Sequence, residues 1–308
     1  MFSSPQQSAE SDFTAIDSGF EKRMSQVIFL GTGTSEGVPR VSCLTKQGSI
    51  CHVCHSATLP GSKNRRRNTS LLIRYSHPDG RTRNIIIDTG KSFWQSALDW
   101  FPVHGIRKID AIVLTHAHAD AIAGLDDLRD WTNNVQKHIP VYLRQQDLDV
   151  VSKMFFYLVR KEDSTGGGGV AKIDFRVINE TPFHIDGLRF SPLPVWHGKS
   201  YTALGFRFGP VAYVSDVSEI PVSTEHLMSD ASLLILDALR TTPPHRSHMI
   251  LNQSLKVVRR LRPNKTLFTD MTHDFDHDQT NVDLGKLMQT ESLDVQLAHD
   301  GMAIPIAI

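Results

Sequence analysis

The chain has 308 residues, a length that suits one large domain or two ordinary ones. Thirty-three Lys and Arg balance thirty-three Asp and Glu, which speaks against a protein held on nucleic acid or a membrane by its overall field. Apolar residues make up 40%, yet no apolar run approaches the ~18 residues of a bilayer span. The expectation is a soluble, core-forming chain. Three cysteines cannot close a disulfide framework, so a reducing compartment is expected, cytoplasmic by default.

Residues 1–24 are polar and Ser-rich with interspersed acids, which fits neither a signal nor a transit peptide and predicts a flexible tail. A single domain over 25–308 is expected to follow. The first strand is predicted at 27–30, ahead of the loop Gly31-Thr-Gly-Thr-Ser-Glu-Gly-Val-Pro39. No helical pattern follows that loop, so a dinucleotide-binding reading fails its own context. An irregular loop is expected over 40–68. Strands are then predicted at 71–75 and 84–88, joined by His77-Pro-Asp-Gly80 as a hairpin. A helix at 91–101, a buried strand at 111–114, a helix at 125–131, a strand at 141–143 and a helix at 145–160 come next, and the glycines at 166–169 read as a flexible tip. Strands are predicted at 175–178, 188–193, 203–208 and 211–214. The last third alternates strand 233–236, helix 250–261, strand 266–268, helix 282–289 and strand 295–297. Strands grouped with helices in both halves imply two packed sheets covered by helices outside, an α/β sandwich.

The strongest chemical signal is Leu114-Thr-His116-Ala-His118-Ala-Asp120. A strand delivers the chain into a loop where two histidines alternate and an aspartate follows, the donors that zinc, iron or manganese accept. Three more candidates follow apolar strands: His197 after Leu193-Pro-Val-Trp, Asp216 after Val211-Ala-Tyr-Val-Ser, and His273 after Leu267-Phe-Thr-Asp-Met-Thr. A buried strand-end carboxylate is costly without a cation. Cys43, Cys51 and Cys54 form a second metal pattern, a C-x2-C pair with a third thiol nearby, favouring zinc over three unrelated thiols. His52 and His55 lie close enough in sequence to supply a fourth ligand.

This series resembles the metallo-β-lactamase superfamily over residues 27–308. Within it, the chain resembles most the phosphodiesterases that open phosphoribosyl 1,2-cyclic phosphate, through the loop at 30–39, Ile87-Asp-Thr-Gly90, Gly124-Leu125, Ser215-Asp216, Thr272-His273 and Asp300-Gly-Met302. The resemblance implies a four-layer αββα sandwich with two divalent ions, zinc or manganese. It implies His116, His118 and His197 on one ion, Asp120 and His273 on the second, and Asp216 bridging. It also implies His277 as the fourth ligand of the structural zinc, although His277 follows His273 by four residues where the family spacing is usually three.

The motif departs from the superfamily pattern at Ala121, where a metal-ligating histidine is usual. The second site is therefore expected to be weak, with His299 as a candidate substitute. The resemblance makes His248 a phosphate-contacting or proton-donating residue, beside the plainer reading of a helix start. Arg66 and Arg67 are candidates for phosphate contact, beside the plainer reading of a solvated charge run.

The expected function is hydrolysis of a phosphodiester, a small cyclic one first, by a metal-bound hydroxide, with Asp120 and His248 as catalytic residues. A tRNA 3′-processing endonuclease of the same superfamily is the enzyme alternative, disfavoured by the zero net charge. A non-catalytic metal-binding protein is the alternative that Ala121 suggests. The expected partner is a small phosphodiester, with no membrane and no strong nucleic-acid binding; a homodimer is compatible with the sequence.

Overall fold

The computed structural model describes residues 24–48, 50–160 and 169–308. The predicted tail, apart from Met24, and most of the glycine tip lie outside the described residues. Fourteen strands run in chain order among them. The first six are β1 (Ser25–Gly31), β2 (Ser70–Ser76), β3 (Thr82–Ile87), β4 (Ala111–Val113), β5 (Ile139–Leu143) and β6 (Ile173–Val177). There follow β7 (Phe183–Ile185), β8 (Leu188–Trp196), β9 (Thr202–Phe208), β10 (Val211–Val214), β11 (Leu233–Asp237), β12 (Lys265–Thr269), β13 (Val295–Leu297) and β14 (Ala303–Ile306).

They form two seven-stranded sheets, ordered β14-β1-β2-β3-β4-β5-β6 and β13-β12-β11-β10-β9-β8-β7. Each sheet joins an antiparallel part to a parallel part: β3 to β6 run parallel in the first, β10 to β13 in the second. The central parallel strands β4, β10 and β11 are buried along their whole length, as covering from both sides requires, whereas the edge strand β6 carries Asp174 and Arg176. Val27, Phe29, Ile73 and Ile85 of one sheet pack on Phe190, Phe206, Tyr213 and Ile235 of the other, giving the central core. Each such side chain contributes roughly 1.5–3 kcal/mol on burial.

The outer faces carry helices. Phe93 and Ala97 of the helix Phe93–Val103 pack with Ile28, Leu72 and Ile112. On the other side Leu255 and Val258 of Leu251–Leu261, with Leu284 of His277–Glu291, cover Leu234, Leu236 and Phe268. The result is the four-layer αββα sandwich.

Several elements differ from expectation. The segment at 40–68 contains two short helices, Val41–Leu44 and His52–Ser56, each holding a cysteine. The predicted helix at 145–160 is broken at Phe155, whose φ of −128° and ψ of 54° interrupt the ladder. The helix expected at 125–131 is a 3₁₀ turn, Ala123–Leu128, running into Arg129–Asn134. Sequence reading misses the helix Val222–Met228, the three-residue β7, and β14. Pro305 masks β14 as a strand; it is tolerated because β14 pairs only with β1 at the sheet edge.

Candidate metal centre

The site forms where strands of both sheets end on one rim. His116 follows β4 by three residues, His197 follows β8 directly, Asp216 follows β10 by two, Asp237 closes β11, and Asp270 follows β12. Strand C-termini leave backbone groups free to turn into loops, so they present side chains at one rim. Close backbone approach fixes the loop further: a Cβ at Gly90 would collide with the carbonyl oxygen of Asp120.

Hydrogen bonds fix the histidine tautomers. Thr115 Oγ1 donates to Asp88 Oδ2 at 2.7 Å, so it accepts from His116 Nδ1 at 2.8 Å. The Thr115 amide donates to the other Asp88 oxygen, at 2.8 Å. His116 Nε2 therefore carries the lone pair, and it is buried with no hydrogen-bond partner. His197 donates from Nδ1 to the Ser247 carbonyl at 2.8 Å, which likewise frees Nε2. His118 stacks on Tyr201, ring centroids 4.8 Å apart and planes within 11°.

One donor nitrogen each from His116, His118 and His197 lie within 4.8 Å of one another. His197 Nε2 and His118 Nδ1 are 3.2 Å apart. Asp216 Oδ1 stands 3.8 Å from His116 Nε2 and 3.9 Å from His197 Nε2. Burial pushes His116 down to about 3, keeping its ring neutral as a ligand must be. Burial would raise Asp216, but His116, His248 and His197 hold it at about 2, a carboxylate at any working pH. Three imidazoles, an orphaned buried lone pair and a carboxylate fit a divalent cation of borderline softness.

The second ion's expected ligands are not brought together. His273 is turned away: its Nδ1 lies 3.3 Å from Cys43 Sγ, 3.3 Å from Cys51 Sγ and 3.4 Å from Cys54 Sγ. These four groups form one cluster, an S3N donor set suited to tetrahedral zinc. The histidine that stands beside the three thiols, where a fourth ligand would come from, is thus His273, and not His277, His52 or His55. His277 starts the helix His277–Glu291 behind Asp276 as N-cap, which directs its ring to Asn281 at 3.0 Å. Burial raises the Cys54 thiol to about 12 in the absence of an ion, so metal binding must displace that proton.

His299 does not replace the missing ligand. Its ring packs edge-on to His277, 5.4 Å between centroids, and its Nδ1 donates to the Asp300 carbonyl at 3.0 Å. Ala121 is buried in the apolar cluster under the first sheet. Asp120 faces Asp216 electrostatically, and burial followed by Asp216 raises its carboxyl. Among the described residues it joins none of the close donor clusters.

His248 occupies this side instead. Its Nδ1 is 2.9 Å from Asp237 Oδ2 and 2.8 Å from Asp270 Oδ2, and one donor atom each of His197, Asp216 and His248 lie within 4.8 Å of one another. Burial would lower His248, yet Asp237 and Asp270 raise it to about 12. Sequence reading missed Asp237 and Asp270, although both end apolar strands as Asp216 does. Arg66 and Arg67 stay outside the site. Arg66 is 1% exposed and donates to Thr32 Oγ1 and the Ala298 carbonyl. Arg67 pairs with Asp99 at 2.7 Å.

Histidine and carboxylate donors gathered at the strand ends of an αββα sandwich define a metal-dependent hydrolase. A model of the β-lactamase superfamily domain matches residues 83–271, and the chain belongs to that superfamily. A solved structure described as a new diphosphatase from the PhnP family is 32% identical, covers 92% of this chain and 98% of its own, and superposes with a TM-score of 0.74. Zn(2+)-bound PqqB from Methylobacterium extorquens shares the fold at 18% identity and a TM-score of 0.67, over 91% of this chain and 100% of its own. An octanoyltransferase of Porphyromonas gingivalis is 30% identical over 248 residues, 80% of this chain and 46% of that protein, so the chain spans about half the length of that relative. No helix among the described residues is long and apolar enough to cross a membrane.

Proposed function

We propose that the chain hydrolyses the P–O bond of a small phosphodiester, with a cyclic phosphodiester as the first candidate. The observation that carries this is the pairing of the three-histidine cluster with His248 across Asp216. His116, His118, His197 and Asp216 would hold a divalent cation, zinc or manganese. Such an ion supplies Lewis acidity toward a phosphoryl oxygen and lowers the pKa of a bound water toward neutrality.

The chain's own residues do the rest. Asp88, through Thr115, orients His116, and the Ser247 carbonyl orients His197. Asp237 and Asp270 keep a proton on His248 Nδ1, so the ring is an imidazolium whose Nε2–H can donate to a phosphoryl or leaving-group oxygen. Asp120, whose carboxyl is raised, is the candidate to take up a proton at the opposite side. The cysteine cluster with His273 has no open position in its donor set, which supports a structural role for its zinc.

One observation favours a second reading. The diphosphatase named above is 32% identical over nearly its whole length, so a diphosphate is a substrate candidate by the same attack on phosphorus. Rates on bis-nitrophenyl phosphate, a five-membered cyclic ribose phosphate and a dinucleoside diphosphate, with metal content measured in parallel, test both. Turnover of the cyclic ester above the diphosphate supports the first reading and the reverse order the second. No turnover of any of the three by metal-loaded chain overturns both.

A further inference from the structure

Arg65 and Arg67, left unused by the metal centre, line a cavity of about 200 Å³ between the loop at 61–67 and the end of the helix Phe93–Val103. None of the residues gathered at the metal centre lines it. Three cationic side chains face it, Lys63, Arg65 and Arg67, together with Trp100 and His299. Its two carboxylates are already engaged. Asp99 Oδ2 is held by Arg67 Nη2 at 2.7 Å, and Asp300 accepts from the Thr32 hydroxyl at 2.7 Å and from the Arg67 amide at 2.8 Å.

The donors are not all engaged. Arg67 Nη1 and Trp100 Nε1 are both buried without a hydrogen-bond partner. Lys63 makes no ion pair among the described residues. Behind the wall, Arg66 adds a fully buried guanidinium, two of whose nitrogens also lack partners. Trp100 cannot turn aside freely, because its ring lies against Gly301, at a φ of +83° where a Cβ would run into it. A buried N–H without an acceptor is costly, and Arg67 and Trp100, which each carry one, both line this small cavity beside excess positive charge, so an anionic acceptor suits it.

We propose that this cavity is a second, non-catalytic binding site for a small oxyanion, a phosphate ion or the phosphoryl group of a phosphomonoester. Arg67 Nη1, Trp100 Nε1 and the Lys63 ammonium are its donors. A neighbouring cavity of about 590 Å³ shares Lys63 and His299 and is lined by Met288, Leu293 and Val295 as well as by Asp278 and Asp294. It gives the organic part of a phosphomonoester somewhere to lie.

The test follows the indole N–H of Trp100 by NMR in the full-length chain, assigned through Trp100→Phe. Titrations with inorganic phosphate and with adenosine monophosphate are run on wild type, on His116→Ala and on Lys63→Ala. The expected result is a saturable shift of the Trp100 signal that survives His116→Ala and weakens about tenfold in Lys63→Ala, whose exposed side chain leaves the fold intact. Tighter binding of adenosine monophosphate than of phosphate assigns a phosphomonoester; equal or weaker binding assigns the free ion. A Trp100 signal that moves with neither probe overturns the proposal. So does a shift that His116→Ala removes or that Lys63→Ala leaves unchanged.

Discussion

His248 Nδ1 lies 2.9 Å from Asp237 Oδ2, and Asp270 Oδ2 stands 2.8 Å from the same nitrogen, so one buried imidazole is held between two carboxylates. Asp237, itself raised to about 7 by burial, is half of the cage that holds His248 protonated to about 12.

Asp237→Asn weakens that hold. The folded pKa of His248 falls, so the imidazolium is lost at lower pH and the alkaline limb of the rate profile moves down. We expect kcat near neutrality to drop about tenfold, and His248→Ala to cost about 10²–10⁴-fold. A kcat–pH profile of Asp237→Asn that superposes on wild type would remove His248 as the proton donor.

His116→Ala removes a ligand whose lone pair is buried and otherwise unpartnered. Hydrolysis of bis-nitrophenyl phosphate should fall by about 10³-fold or more, with the circular dichroism spectrum retained. Full activity in a folded variant would separate the histidine cluster from the chemistry.

The cysteine cluster distinguishes its fourth ligand by metal content. Cys51→Ser and His273→Ala should each lose about one zinc per chain and lower Tm by roughly 5–10 °C, since binding energy at a structural site is folding energy. His277→Ala should keep that zinc. Loss of zinc from His277→Ala with retention in His273→Ala would reverse the assignment.

Acid should destabilise the fold through His277. Burial, then Arg66, lowers it from 6.5 to about 3, so the unfolded chain takes up the proton first as pH falls. The stabilisation from the neutral ring is complete above about pH 6.5 and declines toward pH 3, at up to ~1.4 kcal/mol per unit. Urea midpoints across that window should fall more gently in His277→Asn than in wild type; parallel slopes would assign the acid sensitivity elsewhere.

The fold and half of the site are legible in the chain itself. Apolar runs of strand length with polar strand ends indicate two sheets, because a segment apolar at successive positions has to be covered on both faces. The His116-x-His118-x-Asp120 spacing shows a metal loop for the same local reason. His197 and Asp216 follow from their place after apolar strands. What the sequence could not decide is which strand ends meet. His273 and Asp270 leave the same strand three residues apart. Only the packing of the loop carrying Cys43, Cys51 and Cys54 against that strand end draws His273 to sulfur and leaves Asp270 to His248. Likewise, Arg65, Arg66 and Arg67 are one charge run in sequence. The tertiary structure gives each a different environment, because successive residues of extended chain point to opposite sides. Arg65 ties loop carbonyls at the rim of a cavity, Arg66 is buried in the fold, and Arg67 lines the same cavity while paired with Asp99.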